Sequence, residues 1–391
     1  MTSKVYLNDL GIINAIGTDK SFVAKNLLSN NTGLTTQKKL LSGRETIIGS
    51  VTAELPNIPI ELAEYDCRNN RMMLHACMQI LPAIESAIAK YGKDKVGIVL
   101  GTSTSGIDNG ETACIEKLQR GTFPESFDYR QQETGGMSDF IKAYFDLENV
   151  AYTISTACSS SGKAFASAQR LIDANICDAV IVGGCDTLCE LTLNGFDCLE
   201  AVSQSLCKPF DTTRDGINIG EGAAVFLVSR EPSDIELLGV GESSDGHHIT
   251  APEPNGRGAI QAMNQALELS KLEPSDIGYL NMHGTATPLN DAMESQAAKS
   301  VFDMAIPCSS TKSLTGHTLG AAAATEIGLC WLLLSDKYNP HKKLPKQTDN
   351  AENIIENIGI ITQDICYKKS KFMSNSFAFG GSNVSIIVAR S

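Results

Sequence analysis

The sequence predicts a duplicated α/β fold with helices packed on sheets, and three observations carry that expectation. Apolar segments of strand length alternate with segments of helical spacing. Three pairs of segments resemble one another and recur in the same order in the two halves. No low-complexity stretch and no Pro- or Ser-rich linker separates the halves, so they should pack together.

In chain order, residues 96–106, VGIVLGTSTSG, read as an apolar strand ending in G-T-x-T, and 277–291, IGYLNMHGTATPLND, are their match. Residues 150–156, VAYTIST, are β-branched and aromatic over a strand's length. They lead into 157–168, ACSSSGKAFASA, whose match is 307–324, PCSSTKSLTGHTLGAAAA; both run from a Cys-Ser-Ser turn into an Ala-rich helix. Residues 179–187, AVIVGGCDT, and 375–389, NSFAFGGSNVSIIVA, each set a double glycine beside a buried strand. The halves should divide at the loop-like SREPSD, 229–234. In such a duplication, matching strand ends converge on one interface where chemistry can be shared.

The turn at 155–172, STACSSSGKAFASAQRLI, sets Cys158 just before a helix. Ala164, Phe165, Ala168, Leu171 and Ile172 recur at helical spacing, with no breaker before Asn175. Strand, tight turn and helix make a nucleophile elbow with cysteine in place of serine. Free backbone N–H groups and the helix dipole should favour a thiolate there and could hold an oxyanion. Locally, Cys158 could equally be a buried small hydrophobe.

The second half offers partners for a cysteine nucleophile. His283 ends a strand in NMHGTATP, and His317 follows Lys312 in KSLTGHTLG; each lies in a repeat equivalent to a loop near Cys158. Thr285 and Thr287 present hydroxyls to an extended polar ligand, or make local turn bonds. Lys312, between Ser-Ser-Thr and Gly-His, is expected buried and paired, with Glu294 the first candidate partner. The Gly380–Gly381 pair beside Phe379 permits close backbone approach.

Composition limits the function. The 391-residue chain has a formal net charge of −13, against wholesale nucleic-acid binding but compatible with an acidic partner on a local basic patch. Arg68, Arg71, Lys208 and Arg214 are candidates for that patch. The start, MTSKVYLNDLGIINAIG, lacks signal-peptide character, and the apolar run 319–334 is interrupted by Glu326, so no membrane span is expected. Twelve scattered cysteines point to reduced thiols in a cytoplasmic protein. No C-x-x-C pair and no i, i+4 histidine pair occurs, so no metal site is expected.

Through TACSSS, KPFDTTRDGINIGEGAAV, HGTATPLNDAMES, SSTKSLTGHTLGAA and NSFAFGGSN, residues 4 to 390 resemble the β-ketoacyl-acyl-carrier-protein synthases of the thiolase-like condensing-enzyme superfamily, in the branch of synthases I and II. The resemblance implies βαβαβαββ halves, residues 1–232 with the cysteine and 233–391 with the histidines, in a five-layered α-β-α-β-α sandwich. It implies Cys158 as acyl acceptor, His283 and His317 as the other triad members, and Lys312 paired with Glu294 in support. It further implies Thr285 and Thr287 as pantetheine contacts, Phe379 as the gate, Phe379 and Gly380 as substrate-binding with the two threonines, and the N–H groups of Cys158 and Phe379 as the oxyanion hole. Residues 245–254, DGHHITAPEP, correspond to a second mobile loop. Ala378 and His247 depart from the family's usual glycine and aromatic.

No cofactor is implied: acyl transfer from an acyl carrier protein to Cys158 is followed by decarboxylative condensation with malonyl-carrier. Partners implied are the carrier and a homodimer or a chain-length-factor relative, pairing across a sheet edge expected at 178–186. The loop 101–111, rich in small side chains, is expected to leave room for a rigid acyl chain. RQQE at 130–133, LTLNGFDCLE at 191–200 and VGESSDGHHITAP at 240–252 most resemble the ketosynthase of aryl polyene pigment clusters. Fatty-acid elongation is the alternative. A non-condensing chain-length factor is disfavoured by the intact Cys158, His283, His317 and Lys312, and a coenzyme A thiolase by Ser382 after the double glycine.

Overall fold

The computed structural model describes residues 4–303, 306–348, 351–356 and 358–391. Its main sheet has ten strands: β1 (Val5–Asn14), β4 (Val96–Gly101), β5 (Ala151–Ile154), β6 (Ala179–Asp186), β7 (Gly222–Ser229), β8 (Ile235–Ser244), β9 (Tyr279–Asn281), β10 (Cys308–Ser309), β11 (Lys371–Phe377) and β12 (Ser382–Arg390). A separate hairpin joins β2 (Thr36–Lys39) and β3 (Glu45–Ile48).

The strand order β10-β9-β11-β12-β8-β1-β7-β6-β4-β5 is the same from the centre outward on both sides. On each side the first strand pairs antiparallel with the fifth and the fifth antiparallel with the fourth, and then the pairings are parallel. Of the segments matched in the sequence, β4 mirrors β9, whereas 179–187 is β6 with its double glycine inside the strand and 375–389 runs from the end of β11 through a turn at Gly380–Gly381 into β12. Among the described residues two pairs join the sides, Val5 with Leu237 and Tyr6 with Glu236, so the sheet is pinched at its centre.

Two helices fill the middle layer, α6 (Ser160–Asp173) and α11 (Ala322–Leu334), packed on each other and on strands of both sides. Of the α11 residues all but Trp331 are buried, because sheet lies on both its faces. Phe165 of α6 meets Phe226 of β7 edge-on at 5.3 Å. Helices α2 (Arg68–Met78), α3 (Leu81–Tyr91) and α5 (Gly136–Tyr144) cover one outer face, and α8 (Arg257–Ser270) with α9 (Pro288–Phe302) the other. Strands buried on both faces explain the unbroken apolar runs, β6 being buried at all eight residues. Gly184 lets the middle layer sit close: a Cβ there would lie 2.7 Å from Ser161 Cβ.

One expectation is corrected. Segment 178–186 forms β6, an interior strand between β4 and β7, and the edge is β5. Burial on both faces gave β6 its apolarity, whereas β5 leaves Val150 and Tyr152 beside its free edge 38% and 36% exposed. No single helix among the described residues is long and apolar enough to cross a membrane.

Candidate active site

Cys158 sits in the turn between β5 and α6, and the preceding Ala157 takes the left-handed conformation, φ 50°, rare for a residue with a side chain. Ser160 holds the turn by accepting from Thr156 N (2.8 Å) and donating to Ala157 O (2.6 Å). The sulfur is 3.0 Å from His317 Nε2. Its thiol is 5% exposed, and burial pushes it up to about 11 against the pull of the Lys312 charge and of the N–H groups of Phe379 and Cys158. The thiolate expected from the helix terminus is thus overruled by desolvation.

His283, at the end of β9, lies edge-on to His317 with ring centres 5.4 Å apart. Lys312, first residue of the short helix α10 (Lys312–Thr315), places Nζ 3.3 Å from His283 Nδ1 and donates to His283 O. An ammonium on Nδ1 makes that nitrogen an acceptor, so the ring hydrogen resides on Nε2. Burial, and then the Lys312 charge, hold both imidazoles well below their ordinary value. The histidines are therefore neutral.

The expected partner of Lys312 is corrected. Its ammonium pairs with Glu326 of α11, and both side chains are buried. Glu294 of α9 instead accepts the backbone N–H groups of His283 and Gly284, each at 2.7 Å, and fixes the strand end that carries His283. Burial pushes both carboxyls up to about 7. The sequence signal missed was Glu326 itself, a lone carboxylate in an apolar helix, which needs a partner.

A cavity of about 220 Å³ opens over the sulfur, lined among others by His283, His317, Thr285, Thr287 and Phe379. The two threonine hydroxyls are 2.9 Å apart. Phe379 packs on Phe196, a neighbour not foreseen, with ring centres 5.6 Å apart. Gly380 N–H donates to Ile249 O at 2.8 Å, Asp245 N–H to Gly381 O at 2.8 Å and Asn383 Nδ2 to Asp245 Oδ1 at 2.7 Å, clasping the glycine loop to residues 245–249. Ala378 is buried without a left-handed φ, and His247 is exposed.

Cys158, His283 and His317 present their donor atoms within 4.8 Å of one another, although no motif spacing announced it. The neighbouring Lys312 ammonium opposes a cation there. Three of the four candidates for a basic patch make contacts within the chain. Arg68 binds Glu221 and Val51 O, Arg71 binds Asp66, and Arg214 donates to Asp211 O and Pro288 O, which leaves Lys208 exposed.

The Beta-ketoacyl synthase N-terminal domain family matches residues 23–233 and the C-terminal domain family residues 235–344. The 3-oxoacyl-[acyl-carrier-protein] synthase 1 of Buchnera aphidicola subsp. Baizongia pistaciae is 31% identical over 99% of both chains, and the synthase 2 of Staphylococcus aureus 29% identical over 98% of this chain and 97% of its own. Among solved structures, the ketosynthase ApeO in complex with its chain length factor ApeC from Xenorhabdus doucetiae is 45% identical, with a TM-score of 0.95 over 100% of this chain and 98% of that one. A beta-ketoacyl synthase from Burkholderia phymatum is 26% identical, with a TM-score of 0.87 over 100% of both.

Proposed function

Because the chain belongs to the beta-ketoacyl synthase family, we propose that Cys158, His283 and His317 carry its condensation and that the chain acts with a chain-length-factor partner on aryl polyene-type acyl carriers. The observation that carries the catalytic reading is the 3.0 Å contact of His317 Nε2 with the Cys158 sulfur, beside a His283 whose Nε2 hydrogen is fixed by Lys312.

In the first half-reaction the Cys158 sulfur attacks the carbonyl of an acyl-carrier thioester. Its proton passes to His317 Nε2 and on to the departing pantetheine sulfur, so a free carrier thiol leaves. The tetrahedral oxyanion is received by the N–H groups of Cys158 and Phe379. Malonyl-carrier then enters the same cavity, with its pantetheine along Thr285 and Thr287. Loss of CO₂ leaves an enolate whose oxygen takes the His283 Nε2 hydrogen bond. His317 Nδ1 has no hydrogen-bond partner among the described residues, so either tautomer of that ring is open to it, and it can donate in this step after accepting in the first. The enolate carbon attacks the Cys158 thioester, the carbon–sulfur bond breaks, and the Cys158 thiolate takes up a proton from solvent as the 3-oxoacyl-carrier leaves. Glu294 and the Lys312–Glu326 pair hold His283 in place throughout.

The pathway reading is supported by the 45% identity to ApeO over the full chain and by that protein's complex with a chain length factor. The twelve free cysteines support a reducing, cytoplasmic setting. Incubation with acyl-carrier should add one acyl mass to the protein, and Cys158→Ala should abolish it, with eleven other cysteines as internal controls. An adduct mapped to another cysteine would overturn the catalytic reading.

A further inference from the structure

Asp186 closes β6 with a side chain that is 0% exposed and makes no ion pair among the described residues. A buried carboxylate without a counter-ion must be neutralised by dipoles, and here six donors converge on it. Oδ1 accepts from Thr102 Oγ1 (2.5 Å), Ser103 N (2.8 Å), Thr104 N (2.9 Å) and Thr104 Oγ1 (2.9 Å). Oδ2 accepts from Ser103 Oγ (2.6 Å) and Gly320 N. The small side chains that follow β4, read in the sequence as room for an acyl chain, are thus spent on this carboxylate.

Five of the donors come from the turn after β4. The sixth, Gly320, lies three residues beyond His317 in the other half of the chain, and its N–H also reaches Ser103 Oγ at 2.9 Å. Gly320 is glycine for this reason: a Cβ would lie 2.8 Å from Asp186 Oδ2 and 2.8 Å from Ser103 N. At the other end of the same loop, His317 N donates to Asn218 O (2.7 Å) and its carbonyl accepts from Gly220 N (3.0 Å). A catalytic imidazole is commonly aimed by a hydrogen bond to its second nitrogen. His317 Nδ1 has none among the described residues, so the aim of Nε2 depends on these backbone anchors.

We propose that Asp186 is a positioning residue for the condensation: by binding Gly320 N–H it fixes the backbone that points His317 Nε2 at the Cys158 sulfur. This rests on the reading of Cys158 and His317 given above. The Asp186 charge also faces the cysteine closely enough to count among the influences that raise its thiol. Geometry and charge therefore leave separate signatures.

Two variants of the intact protein, with its chain-length-factor partner if one is required, separate them. Asp186→Asn keeps the shape and removes the charge and an acceptor. We expect kcat to fall ~10-fold or more with KM for acyl-carrier within about twofold, the scale of a misplaced catalytic group, while the pH profile of Cys158 alkylation by iodoacetamide moves to lower pH. Gly320→Ala keeps the charge and pushes the loop away; it should lower kcat similarly without moving the alkylation profile downward. Asp186→Glu, which restores a carboxylate, should regain part of the lost kcat. The proposal is overturned if Gly320→Ala and a folded Asp186→Asn both keep kcat within twofold of the wild type, or if Asp186→Asn lowers kcat while Gly320→Ala leaves it unchanged. Wild-type protein that takes no acyl group on Cys158 would instead remove the catalytic reading on which the proposal stands.

Discussion

At the residue scale, burial governs the chemistry of the site. The helix terminus beside Cys158 is worth at most about 2 kcal/mol to a negative charge, and the desolvation of a fully enclosed sulfur outweighs it. Without substrate, alkylation of Cys158 by iodoacetamide should therefore keep rising through pH 9, where an ordinary thiol levels off, toward a midpoint at about 11. The sign is that of an acid whose charged form is disfavoured: thiolate is scarce at neutral pH and grows tenfold per pH unit. A plateau below pH 8 would contradict this. The Lys312–Glu326 contact gives a second expectation, because removing one member of a buried pair strands the other at a cost of about 3–5 kcal/mol. A double-mutant cycle of Lys312→Met with Glu326→Leu should show strong coupling in denaturant unfolding, and the same cycle with Glu294→Leu much less. Equal coupling would restore Glu294 as the partner.

At the scale of elements, the site is a meeting of turns from both halves. Cys158 comes from the β5–α6 turn, His283 from the end of β9 and His317 from the loop between α10 and α11; the equivalence of these turns was readable as repeated Gly-Thr and Cys-Ser-Ser motifs. Strand apolarity was a poorer guide, since it reports burial and not place in the sheet. β5, four residues paired only to β4, carries free N–H and C=O groups on its outer side, next to half-exposed Tyr152. Pairing of two chains along this edge would set the nucleophile turn beside the partner. We expect Val150→Asp combined with Tyr152→Asp to turn the dimer into monomers in native mass spectrometry while the far-ultraviolet circular dichroism stays unchanged. A dimer that survives both changes lies on another surface.

For the whole molecule, the net charge of −13 argues against a broad basic face, and of the four candidate cations Arg68 and Arg71 are ion-paired within the chain while Lys208 is exposed. The selectivity of the assembly should then come from its acyl pocket and partner. Co-expressed with a chain-length-factor relative, the protein should form a stable heterodimer by native mass spectrometry and extend aryl-enoyl carriers faster than saturated medium-chain ones. The reverse preference would return it to fatty-acid elongation.

What the sequence determined by itself was whatever is written in local pattern. Repeated motifs in the same order pointed to the duplicated architecture, and turn chemistry at strand ends, together with the family resemblance, marked out Cys158, His283, His317 and Lys312 as candidates. Tertiary structure alone decided the pairings. Glu294 and Glu326 are both acidic residues on helices near Lys312 in sequence, and only the way α9 and α11 pack shows which faces the ammonium and which the backbone of His283. The same holds for β6 against β5 and for Asp186, whose donors lie 82 to 134 residues away. Burial and partner choice depend on which surfaces meet, and periodicity within a segment carries no record of what the segment will face.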